Sequence, residues 1–161
     1  MLKRYEVINT YLIFILGSIL HFTYEYSNNN IIVSLFSSVN ESTWEHLKIL
    51  FYPMLLSTII GYILFKRKYS YYLCNKVKGI ILSLSFIIIF FYTYTGILGN
   101  NIALIDISSF FIAAVLGQYY SYKNINIKCS NIISIIIIII LILCFSIFTF
   151  NPPNIGIFKT P

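Results

Sequence analysis

The sequence is short of charge, and of negative charge above all. Only 10% of its 161 residues are charged and five are acidic, while 58% are hydrophobic. A soluble domain of this length has about a quarter of its residues charged. That deficit, with a mean hydropathy of +0.84, excludes a soluble globular protein and leaves an integral membrane protein. Cysteine is scarce as well. Cys74, Cys129 and Cys144 are odd in number and form no C-x-x-C pair, a pattern that suggests neither a disulfide framework nor a thiolate zinc site, only incidental thiols. No H-E-x-x-H pair is present, and no serine stands in a G-x-S-x-G context, so the zincin and serine-hydrolase signatures are both missing.

What is present is apolar sequence in long runs. Five segments, at about residues 7–24, 47–65, 79–98, 102–120 and 132–150, are long enough to cross a hydrocarbon core about 30 Å thick. They predict an all-α fold: one polytopic transmembrane helix bundle over residues 1–161, with the lipid bilayer as its partner. The first segment is a span and not a cleaved leader, since Glu25, Tyr26, Ser27 and three Asn follow it instead of a small-x-small site. Asn28-Asn29-Asn30 marks a turn, and Ile31 to Phe36 is too short to span, so it belongs at the interface or dips into the bundle. Pro53 predicts a kink in the second span, and Trp44, the only tryptophan, an interfacial anchor.

The net charge of +6 is gathered at the ends of the spans, which reads as topology and not as nucleic-acid binding. With the N-terminus cytoplasmic, that side holds Lys3, Arg4, Lys66, Arg67, Lys68, Lys76, Lys78, Lys123 and Lys128; the other side holds Lys48 and Lys159. Nine against two predicts a multi-pass protein of the cell membrane with its C-terminus extracytoplasmic.

The few polar groups are concentrated. Glu41, Glu45 and His46 fall within six residues, and they make up three of the seven acids and histidines in the chain. Ser38 with Glu41 and Ser42 with Glu45 both fit a capping box, so a helix begins in this stretch. Lys48, three residues after Glu45, is placed to pair with it. The topology adds His21 and Glu25, one helical turn apart at the end of the first span, and Asp106 near the same end of the fourth. Ser109, Ala113 and Gly117 continue the Asp106 face with small residues suited to close helix packing.

A carboxylate within a span costs roughly 2.5–3.5 kcal/mol unless it faces a polar interior, so Asp106 is expected to turn inward and meet His21 or His46. Imidazole and carboxylate together suit a divalent metal such as Zn, Mn or Fe. His21, Glu25, His46 and Asp106 are the candidate ligands, and Glu41 or Glu45 the candidate general base. Adjacent side chains on a helix diverge by about 100°, so only one of Glu45 and His46 is expected to point into the site.

The stretches Leu20 to Glu25, Ser34 to Lys48 with its core Asn40-Glu41-Ser42-Thr43-Trp44-Glu45-His46-Leu47-Lys48, Phe51 to Leu55, and Pro152 to Phe158 resemble a family of small polytopic bacterial membrane proteins known only as a domain of unknown function. That resemblance covers nearly the whole chain and implies a membrane protein with no established activity. A looser likeness of pattern links the chain to membrane hydrolases related to alkaline ceramidases, which use more histidines than the two here. The functional expectation is a metal-dependent membrane hydrolase. A small proton- or cation-handling transporter or channel, or a non-catalytic accessory subunit, stands as the alternative.

Overall fold

The computed structural model describes residues 1–160 and shows six helices in the order α1 (Leu2–Tyr26), α2 (Ile31–Ser34), α3 (Thr43–Phe65), α4 (Tyr72–Leu98), α5 (Ala103–Lys123) and α6 (Asn131–Phe150), followed by a 3-10 turn at Gly156–Phe158. All except α2 are long and apolar enough to cross a membrane. This is a multi-pass helical membrane protein, with no strand among the described residues.

The five predicted spans all exist, but α1 and α4 begin five and seven residues before their apolar runs. α1 starts at Leu2 and α4 at Tyr72, which draws Glu6 and Lys76 into helices. Both side chains are buried and neutralise each other, with Lys76 Nζ 2.6 Å from Glu6 Oε2. Lys76 is therefore a bundle residue and not the loop cation that the sequence indicated. The cysteines differ too. Cys74, in the first turn of α4, and Cys129, just before α6, form a disulfide across 55 residues with their Cα atoms 6.2 Å apart; only Cys144 is free. Short-range spacing rules cannot detect a pairing that tertiary structure creates.

α3 is the central helix. Its most apolar window is 56% buried, against 11% for α6, whose buried residues are only Ser134 and Phe145. The Asp106 face of α5 does pack tightly, against α4. A Cβ added to Gly117 or Gly79 would collide with the facing helix, and the Ser83 hydroxyl donates to the Ala113 carbonyl at 2.7 Å. Pro53 lies inside α3 and has no N–H for the Ile49 carbonyl. Gly17 of α1 comes close to that carbonyl, since a Cβ there would stand 3.2 Å from it. The predicted turn after α1 is made by Asn28 and Asn29 in the left-handed region (φ 55° and 58°), where Asn is among the better-tolerated residues.

Candidate metal-binding site

Three local structures bring the polar groups to one end of the bundle. At the end of α1, the Ser37 hydroxyl sits between two backbone groups, donating to the Leu20 carbonyl and accepting from Tyr24 N–H at 2.9 Å. This ties the 35–42 loop to the turn that carries His21. The loop then folds on itself. Ser38 Oγ donates to the Asn40 carbonyl at 2.6 Å, and Asn40 Oδ1 accepts from Ser42 N–H at 2.9 Å. Ser42 is the N-cap of α3 and accepts from Glu45 N–H. Of the two capping boxes in the sequence, the second sets the helix start. Glu41 is thereby left in the loop, free to turn toward the histidines.

His21 Nε2 and His46 Nε2 are 3.3 Å apart, and Glu41 Oε2 lies 3.5 Å from the first and 3.7 Å from the second. Among the described residues these three form the group that could hold a metal ion. The separations are informative. Tetrahedral ligands about 2.0–2.2 Å from zinc stand roughly 3.3–3.6 Å from one another, a spacing with which these three atoms, at 3.3–3.7 Å, are compatible. The proton inventory agrees. His46 Nδ1 is 2.9 Å from the Ser42 carbonyl, which can only accept, so Nδ1 carries a proton and, in the neutral ring, Nε2 presents a lone pair. Hydrogen bonding of this kind to the outer nitrogen orients metal-bound histidines. His21 Nδ1 is buried without a protein partner.

The other candidates are placed differently. Glu45 turns away from the imidazoles into a buried ion pair with Lys48, at 2.6 Å with side-chain exposures of 2% and 0%. It also accepts from Val39 N–H at 3.0 Å and from the Thr149 hydroxyl at 3.1 Å. Lys48 donates to the Ser34 carbonyl and to Thr149. The sequence offered Glu45 as a general base; the structure engages it in tying α3, the loop and α6 together. Glu25 is exposed at the end of α1, outside the triad. Asp106 accepts a hydrogen bond from the Tyr94 hydroxyl, a tyrosine partner where the sequence pointed to a histidine. It does share a cavity of about 520 Å³ with His21, Glu41 and His46. Trp44 stands in an aromatic cluster, with ring centroids 4.8 Å from Phe145 and 4.9 Å from Phe158 of the returning tail.

The match to known families covers residues 1–161. The chain belongs to DUF6512, a family of unknown function. No curated protein and no solved structure gives a match. The DUF6512 assignment accounts for the sequence resemblance and leaves the chemistry to be argued from the site.

A second polar centre in this DUF6512 chain was missed from sequence. At the opposite end of the bundle Lys76 donates to Glu6 and to Gln118 Oε1, and Tyr72 contributes its hydroxyl to Glu6 at 3.5 Å. A usable signal existed: the apolar pattern of Tyr72, Leu73, Val77 and Ile80 extends the third span upstream of residue 79, which encloses Lys76.

Proposed function

We propose that the protein is a metal-dependent membrane hydrolase whose divalent ion, Zn, Mn or Fe, is held by His21, His46 and Glu41. The observation that supports this reading is the convergence of the three ligand atoms at 3.3–3.7 Å on the wall of a cavity large enough for a ligand. A mixed imidazole and carboxylate set suits these metals, and with three protein ligands it corresponds to a catalytic, open site. The ion would supply a bound water of lowered pKa. Asp106 is then the remaining carboxylate on the cavity wall, suited to accept a proton. This differs from the expectation from sequence, in which Glu41 or Glu45 was the candidate base and His21, Glu25, His46 and Asp106 were the candidate ligands. The excess of Lys and Arg at the Glu6 end supports a cytoplasmic position for that end, with the triad then on the extracytoplasmic side of the cell membrane.

Elemental analysis of the purified protein tests the reading. Stoichiometric Zn, Mn or Fe, lost in His46→Ala and His21→Ala, is the expected result. A wild-type protein that binds none of the three after metal loading overturns it. The Glu6–Lys76 pair, buried at the other end of the bundle, favours a second reading, proton or cation handling, because paired ionisable groups within spans mark ion pathways. A pH- or ion-dependent flux in vesicles with no metal bound is its signature.

A further inference from the structure

The cavity below the triad is mostly apolar and runs away from the polar end. Phe14 lies seven residues before His21 on α1, about 10 Å deeper at 1.5 Å per residue. Ile49, Ile87 and Phe110 from three other helices line it as well. A polar solute would lose hydration against these apolar side chains, whereas a hydrocarbon chain coming from the bilayer loses nothing.

The slot also reaches the lipid-facing surface. Phe14, Ser18 and Phe22 line it and at the same time line an open groove on the outer side of α1, with Ile15 and Ile19. The smallest side chain at this seam is Ser18, and its hydroxyl is turned back to the Phe14 carbonyl at 2.9 Å, so no free polar group obstructs an apolar chain. Across the cavity, Ile107 of α5 lines the slot and is itself 56% exposed. The boundary between slot and bilayer is therefore built of apolar or internally satisfied groups.

We infer that the cavity accepts the acyl chain of a membrane phospholipid, which enters sideways past Ser18 and sets the lipid's polar linkage against His21, His46 and Glu41. As a substrate assignment this rests on the hydrolase reading above; the binding of the chain does not. The ligand class is set by the geometry, an amphiphile with its polar group at the triad and its chain pointing to Phe14.

The experiment uses full-length protein in phosphatidylcholine vesicles doped with a phosphatidylcholine bearing a diazirine on one acyl chain. After photolysis, adducts are mapped by mass spectrometry. Expected are adducts on Ile49 and Ile87, which are only 2% and 6% exposed, in addition to those on outward residues such as Ile63 and Ile139. Ser18→Trp and Ile107→Trp, which fill the seam from its two sides, should abolish the inner adducts and keep the outer ones, which also report that each variant is folded. Adducts confined to outward residues in the wild type, or inner adducts unchanged in both variants, overturn the inference. His46→Ala separates the two proposals: it should lose metal and retain the inner adducts. A failure of the metal reading therefore leaves the lipid slot standing, and the reverse holds as well.

Discussion

The ion pair that joins α1 to α4 can be broken and repaired by substitution. Lys76 Nζ stands 2.6 Å from Glu6 Oε2, with side-chain exposures of 1% and 4%, and Gln118 and Tyr72 complete its surroundings. Glu6→Ala leaves an ammonium enclosed without a counter-charge. Breaking a buried pair from one side costs about 3–5 kcal/mol, whereas replacing both partners by apolar groups is close to neutral. For a chain of this size 1 kcal/mol corresponds to roughly 2–4 °C, so Glu6→Ala should lower Tm by roughly 6–20 °C, and the double variant Glu6→Ala with Lys76→Met should recover most of that. The assay is thermal unfolding in detergent micelles, followed through the fluorescence of Trp44, the only tryptophan. Because the pair is shielded from solvent, the loss should change little with added salt. A Glu6→Ala protein within about 1 kcal/mol of wild type, or a double variant no more stable than the worse single one, would refute the reasoning.

Glu41 and Glu45 should respond in opposite ways to the same change. Glu45→Gln removes the counter-charge of a fully enclosed Lys48 and is expected to lower stability by about 3–5 kcal/mol while the surviving folded protein still binds metal; Glu41→Gln, at a side chain 64% exposed, should leave unfolding nearly unchanged and weaken metal retention, as read by elemental analysis after dialysis. The membrane orientation is checked with single cysteines at Asn29 and Arg67, both exposed and at opposite ends of the bundle, in a background lacking the native thiols. A membrane-impermeant maleimide applied to intact cells should label Asn29→Cys only, and labelling of Arg67→Cys alone would put the triad in the cytoplasm.

The spans were legible because a run of about 18–20 apolar residues has almost no alternative to a membrane helix, and α6, nearly all aliphatic, is the clearest case. The helix starts were less so. Glu6 and Lys76 look like flanking charges in sequence, since nothing local shows that they lie 2.6 Å apart across 70 residues. The crowding of Glu41, Glu45 and His46 pointed to the end of the bundle where His21, Glu41 and His46 converge, and Glu45, next to His46 on α3, turns away from them to Lys48. Which of the two acids faces the imidazoles was not legible, because it depends on Ser42, not Ser38, capping α3. Asp106 was traced to the right end of the bundle but not to Tyr94, which reaches it across the reversal at Gly99, where φ is +77°. The Cys74–Cys129 disulfide has no local signature at all.

Two kinds of charged cluster occur in this chain, and the contrast between them bears on function. In the Glu6–Lys76 and Glu45–Lys48 pairs every charge meets its opposite within 2.6 Å, and further donors and acceptors fill in around it. Such pairs are complete, and their effect is to fix helices and the 35–42 loop. The triad is different, because it gathers acceptors. His46 spends its proton on the Ser42 carbonyl, Glu41 brings a carboxylate, and no Lys or Arg contacts any of the three among the described residues. With both imidazoles neutral, one N–H on His21 Nε2 cannot serve a nitrogen at 3.3 Å and an oxygen at 3.5 Å with good geometry in both. The proposed divalent ion would engage all three at once. The two ion pairs are saturated and join helices, whereas the triad is short of positive charge, and it is on that deficit that the metal proposal rests.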